Sequence, residues 1–360
     1  MTRLLFVDDE ANVLSGLQRL LRPYRRQWEM TFALGGARAL EILAEDPVDV
    51  IVTDVRMPGM DGVELLRVVR ERYPAMVRIV LSGQVDPESA ISLTTLAHQF
   101  LSKPCEPETL VGALTRATTS HTALSDVQLR RALGHLEALP SPRPVVEQLT
   151  AVLAQPDATI DDVVGIVAND PAMTVKVLQL VNSAFFGLPH QARTVREAVV
   201  FLGLDMLRNL VTATDIFHGF EDPLIVDPDF LDDVRSECLA VAERSRDLAP
   251  PEAESDAYLA GLVHDVGMLA LAACRPEKLA ELFDAARDGG SFLTLEREVF
   301  GTGHAEIGAH LLRIWGLSNT IVEAVAFHHA PEQLPADAMV GRIVSDAVRQ
   351  VGTLDNRAAA

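Results

Sequence analysis

The stretch VIVTDVRMPGMDG, residues 50–62, opens on a short apolar run, 50–53, that stops at an aspartate, Asp54. A run of that length bounded by polar residues predicts a buried strand. Outward from it, similar runs stand at 4–7, 30–33, 78–81 and 99–101. The stretches between them carry helical spacing, as in Val13, Leu14, Leu17, Leu20 and Leu21. Strands alternating with helices predict a parallel sheet covered on both faces, with ligands collecting at the carboxyl ends of the strands. Just past those ends stand Asp8 and Asp9 after the first strand, Asp54 after the third, Ser82 after the fourth, and Lys103 with Pro104 after the fifth.

Three carboxylates at one sheet edge repel one another unless a cation sits among them, and all-oxygen ligands favour a hard ion such as Mg²⁺. One carboxylate can then attack phosphorus while the ion and an ammonium neutralise the equatorial oxygens. Asp54 is the expected nucleophile and Lys103 the ammonium. The Ser82 hydroxyl can donate to a phosphoryl oxygen once transfer has occurred. Aspartate and serine are common where strands end, so any one of these residues alone would be ordinary. Their recurrence at four strand ends points to a site.

These residues resemble the receiver domains of response regulators over about residues 1–120, through FVDDE at 6–10, TDVRMPGMDG at 53–62, LSG at 81–83 and FLSKP at 100–104. The resemblance implies a flavodoxin-like, doubly wound, five-stranded parallel sheet in which Asp54 is phosphorylated by a partner sensor histidine kinase. It also implies that Asp9, Asp54 and the backbone carbonyl of Arg56 ligate Mg²⁺, with Asp8 acting mainly through water. Ser82 and Phe100 are implied as paired switch residues, and the Lys103–Pro104 bond as cis.

At 360 residues the chain is too long for one ordinary domain and suits two. It is 48% apolar and 23% charged, a globular composition, and has no run of the ~18 uninterrupted apolar residues that a membrane span needs. The opening MTRLLFVDDE turns acidic too early for a secretory signal, so the expectation is a cytoplasmic protein with no membrane partner. Cys105, Cys238 and Cys274 are too widely spaced for a Cys-x-x-Cys motif and are expected to be reduced structural thiols. A net charge of −20 repels phosphate backbones, and the one short basic run, 22–26, closes an early helix; no nucleic-acid partner is expected.

From about Ala117 to Leu139 apolar anchors thin out, and the LPSPRP that follows blocks continued helix. The expected organisation is a receiver at 1–120, a helical linker at 121–139, an output domain at 140–352 and a disordered tail at 353–360. Leu124, Leu129, Leu133 and Leu136 are read either as a homodimer seam or as a solvated or domain-packed face. Beyond Pro144 helical patterns dominate, at 145–153, 160–168, 171–181, 194–201, 205–216, 231–248, 256–273, 277–287 and 304–315, so the second half is expected to be all-α. Asp170 before Pro171 reads as a helix start, and Gly187 and Gly203 as helix stops.

This half resembles the HDOD domains, a branch of the HD phosphohydrolase superfamily, over about residues 135–350. The resemblance rests on DPAMTVKVLQLVNSAFFG at 170–187, AVVFLGLDMLRNL at 198–210, LVHDVG at 262–267, HAEIGAHLLRIWGL at 304–317 and the pair His328–His329. It implies a helical output module acting in signalling, mostly without catalysis, and the expectation is that it binds a downstream protein or a small ligand such as a nucleotide ligand. Catalytic HD proteins hold metal with histidines and aspartates, and the matching set here is His264, Asp265, His304, His328, His329 and Asp346. Three departures weigh against an enzyme: Glu237 stands where HD proteins carry their first histidine, Met268 replaces the lysine of cyclic di-GMP phosphodiesterases, and the GYP motif is absent. Glutamate still ligates transition metals, so a transition metal in this pocket and a metal-dependent phosphohydrolase acting on a nucleotide stand as the alternative. Buried histidines that merely link helices by hydrogen bonds are the structural alternative. His310, six residues after His304 and about 120° round the helix, is not expected to share the site.

Overall fold

Every apolar run of the first hundred residues becomes a strand. The structure is a computed structural model and describes residues 1–83, 93, 95–124, 126–182, 192–214, 228–287 and 291–352. Strands β1 (Thr2–Asp8), β2 (Trp28–Leu34), β3 (Val50–Thr53), β4 (Val77–Ser82) and β5 (Gln99–Ser102) form one parallel sheet in the order β2-β1-β3-β4-β5. Period-two alternation sorts the side chains. Leu4 and Phe6 face α1 (Ala11–Leu21) and α4 (Pro107–Ala123), while Leu5 and Val7 face α2 (Gly36–Glu45) and α3 (Gly62–Arg72). The strand order reverses direction between β1 and β3, and the crevice at their carboxyl ends is where Asp8 and Asp54 stand. Asp61 and Glu64 close a capping box on α3, and a Cβ on Gly62 would lie 2.1 Å from the Asp54 carbonyl oxygen. Only glycine lets α3 start so close to Asp54.

The remainder is helical: α5 (Val127–His135), α6 (Arg143–Leu153), α7 (Ile160–Val167), α8 (Pro171–Val181), α9 (Val195–Leu202), α10 (Leu204–Thr214), α11 (Pro228–Leu248), α12 (Glu254–Leu262), α13 (Val266–Cys274), α14 (Pro276–Arg287), α15 (Phe292–Phe300), α16 (His304–Ile314), α17 (Asn319–Ala326) and α18 (Met339–Val351). Asp170 caps α8 by accepting from the Met173 N–H at 2.8 Å, and Gly203 closes α9 with φ +72°. All of α8 is buried. Gly187 and the tail 353–360 lie outside the described residues.

Two expectations need correction. The helix read at 256–273 is two, α12 and α13, broken at residues 263–265; apolar residues on both sides of the break hide it from periodicity. Glu254–Cys274 is long and apolar enough to cross a membrane, but most of it is buried inside the protein. The linker helix ends at His135, short of Leu139, and Leu124, Leu129 and Leu133 are buried in the chain's own core, so the domain-packed reading of that face holds. Sequence reading also missed α15, α17 and α18.

The two halves share a polar seam. Buried Arg78 in β4 donates to the carbonyls of Leu96, Pro74, Met76 and, at 2.9 Å, Gly134 in α5. Arg70 of α3 pairs with Glu137, whose carbonyl accepts from Lys176 Nζ of α8 at 2.8 Å. Gln99 of β5 reaches the end of α16.

Candidate functional site

At the sheet edge, Asp54 Oδ1 accepts from the Ser82 hydroxyl at 2.8 Å and from the Val55 N–H at 2.6 Å. Lys103 Nζ donates to Asp8 Oδ2 at 2.6 Å and to Asp54 Oδ2. Burial pulls the Lys103 pKa down, but its bonds to Asp54 and Asp8 outweigh burial and leave it raised, so the ammonium stays charged. An oxygen from each of Asp8, Asp9 and Asp54 lies within 4.8 Å of the others, an all-oxygen set that fits a hard divalent ion. Arg56, two residues after Asp54, is exposed between buried Val55 and Met57, Phe100 is half-buried against the α2–α3 side of the sheet, and the Lys103–Pro104 bond is cis.

The second cluster forms where the α12–α13 break meets α11, α16 and the end of α17. The break is what turns His264 and Asp265 inward, both fully buried. His304 Nε2 lies 3.2 Å from His328 Nε2, 3.2 Å from His329 Nε2 and 3.1 Å from Asp265 Oδ1. His264 Nε2 is 3.6 Å from Asp265 Oδ2 and 4.0 Å from Glu237 Oε1. Glu237, His264, Asp265, His304, His328 and His329 thus converge. Asp346 does not join them: it is half-exposed on α18 and pairs with Arg349, one position beyond the buried Ser345. His310 is buried on α16 near His98 of the receiver half, away from the cluster.

The ring nitrogens have assigned roles. His264 Nδ1 lies 2.8 Å from the Gly261 carbonyl and His328 Nδ1 2.7 Å from that of Val325. A carbonyl only accepts, so each Nδ1 carries the proton and each Nε2 presents a lone pair. Burial, first of all, lowers the pKa of both histidines and keeps them neutral. His304 Nδ1 is 3.1 Å from both carboxylate oxygens of Glu296, which also accepts from the His304 N–H at 2.7 Å. Glu296 is completely buried, and no spacing rule would have found it. Bare nitrogens 3.2 Å apart repel, and His264 Nε2 is buried with no hydrogen-bond partner among the described residues. A mixed imidazole–carboxylate donor set of this kind fits a transition metal. A cleft of about 690 Å³ opens over His304 and His329, walled by Glu296, Arg297, Glu306 and Arg313.

The HDOD family model matches residues 139–331, more than half of the chain, and the response regulator receiver model matches 4–115. The chain belongs to the HDOD family. It is a response regulator with an N-terminal receiver domain and a C-terminal HDOD domain. This HDOD protein is 29% identical over 200 residues to an uncharacterized protein of Treponema pallidum, covering 52% of this chain and 37% of that one. It is 40% identical over 125 residues to the hydrogenase transcriptional regulatory protein HoxA of Cupriavidus necator, covering 34% of this chain and 25% of that one. It therefore spans well under half of the length of these relatives. The MmoQ response regulator of Methylococcus capsulatus shares the fold, with a TM-score of 0.51 and 23% identity over 62% of this chain and 94% of that one.

Proposed function

We propose that a partner sensor histidine kinase phosphorylates Asp54 and that this modification controls what the HDOD domain binds, a downstream protein or a nucleotide ligand. The carrying observation is the Asp54 carboxylate bonded to the Ser82 hydroxyl and the Lys103 ammonium, the two donors a phosphoryl group at that position requires. Asp8, Asp9, Asp54 and the Arg56 carbonyl would hold Mg²⁺, which when bound offsets phosphoryl charge. Asp54 attacks phosphorus, a new O–P bond forms, and the bond to the donor's leaving group breaks. The net charge of −20 repels phosphate backbones and anionic lipid, so the partner is read as a protein or small ligand rather than nucleic acid or membrane. Incubation with acetyl phosphate should label the protein only when Mg²⁺ is present, and Asp54→Asn should abolish labelling. Normal labelling of that variant would remove Asp54 from the role. Ser82→Ala should accept phosphate yet lose the phosphorylation-dependent change in hydrodynamic size or partner affinity.

The histidine cluster supports a second part of this reading: Glu237, His264, Asp265, His304, His328 and His329 hold a transition metal. In HD phosphohydrolases such an ion supplies a hydroxide for phosphoester cleavage. Met268 and the missing GYP motif favour binding over turnover. Purified protein should carry metal, as read by elemental analysis, and hydrolyse cyclic di-GMP no faster than Asp265→Ala. Metal-dependent turnover lost in that variant would promote the phosphohydrolase reading.

A further inference from the structure

Residues of β5 alternate between the two faces of the sheet, with Gln99 and Leu101 buried toward the helical half and Phe100 on the opposite side. A glutamine is seldom buried, and this one is 6% exposed. Its Nε2 donates to the carbonyls of Arg313 at 3.2 Å and Ile314 at 3.0 Å, in the last turn of α16. A helix end leaves carbonyls without intrahelical partners, so a receiver side chain caps an HDOD helix across the seam.

The other end of α16 is His304, ~15 Å away at 1.5 Å per residue. There the helix is clamped. A Cβ on Gly267 of α13 would lie 1.9 Å from the His304 carbonyl oxygen, so the two backbones touch, and Glu296 holds both the N–H and the ring of His304. His304 Nε2 also lies 3.1 Å from Asp265 Oδ1, so the seating of this end of α16 bears directly on the geometry of the pocket. At the far end of β5 stands Lys103, ~13 Å along the strand from Gln99, paired with Asp54 and Asp8.

We infer that α16 is a lever between the two sites: phosphorylation of Asp54, by changing what Lys103 binds at one end of β5, changes the Gln99 cap at the other and with it the seating of His304 in the histidine pocket. The affinity of that pocket for metal then depends on the phosphorylation state of the receiver. The inference rests on the assignment of Asp54 as phosphoacceptor; it deepens the metal reading but can be tested apart from it.

The test uses the full chain with acetyl phosphate and excess Mg²⁺. It reads phosphate incorporation by mass, hydrogen exchange of peptides spanning residues 303–316, and Zn²⁺ affinity by competition with a chelating dye. In wild type, phosphorylation should alter exchange at both ends of α16 and shift Zn²⁺ affinity about fivefold or more. Gln99→Leu, still phosphorylated, should lose both responses; Gln99→Met, close in shape, serves if the leucine variant does not fold. Phosphorylated wild type with unchanged exchange in α16, or a Gln99 variant responding like wild type, overturns the lever. Absence of label on Asp54 overturns it together with the phosphoacceptor reading. If exchange responds through to residues 303–308 while no Zn²⁺ binds, the lever stands and the metal reading alone fails.

Discussion

Single side chains set the chemistry of each pocket. Glu296 fixes the tautomer and orientation of His304, and partners of this kind are commonly worth 10- to 100-fold in metal affinity, as a rough range. Glu296→Ala should weaken Zn²⁺ binding by about that factor with an unchanged far-ultraviolet circular dichroism spectrum. Unchanged affinity would reduce Glu296 to a helix anchor. His98 makes a pH prediction. It is buried, its Nδ1 accepts from the Arg78 N–H at 2.9 Å, and burial first, then the positive charges of Arg78, His310 and Lys176, push its pKa well below the ordinary value. The unfolded chain takes up a proton near pH ~6.5 that the folded chain refuses. Stability is therefore intact above that pH and lost as pH falls below it, by ~1.4 kcal/mol per unit for each such histidine. Urea unfolding of metal-free protein should show lower stability at pH 5.5 than at 7.5, and His98→Gln should reduce the difference, leaving the part that His264 and His328 contribute. An equally steep loss in that variant would clear His98 of the effect.

Among elements, close backbone approaches decide what can pack. In α5, a Cβ on Gly134 would lie 1.8 Å from the Pro74 carbonyl oxygen, while the Gly134 carbonyl accepts from Arg78. Gly134→Ala should force α5 off the receiver at a cost of ~1–3 kcal/mol or more, because the obstacle is backbone and cannot rotate away. Urea denaturation should register that loss, and limited proteolysis should cut faster near residues 124–126. Protection equal to wild type would mean that α5 does not clamp the halves. Helix spacing found α8 to the residue and α16 to within one, since both begin or end on strong signals. It could not see the α12–α13 break, where the sequence stays apolar on both sides and the helix ends because His264 and Asp265 turn inward.

For the molecule as a whole, one apolar cluster runs from Leu4 and Phe6 of the receiver through Leu114 and Leu133 to Val175 and Phe292 of the HDOD domain. A shared core should unfold as a unit, so calorimetry should record one transition with matching calorimetric and van't Hoff enthalpies. Two resolved transitions would show that the halves fold independently. The parallel sheet was legible in the chain's local pattern, because strand ends carrying Asp8, Asp54, Ser82 and Lys103 follow short apolar runs, and local spacing suffices to read them. It also named five of the six histidine-pocket residues by resemblance and the sixth, Glu237, by its place in that alignment, and it wrongly added Asp346, whose side chain lies on the outer face of α18. It took the packed chain to reveal that Glu296 belongs with His304, that α5 is core rather than linker, and that Gln99 meets the end of α16. Those are contacts between residues 8, 56 and about 214 positions apart, set by how helices pack rather than by any local pattern.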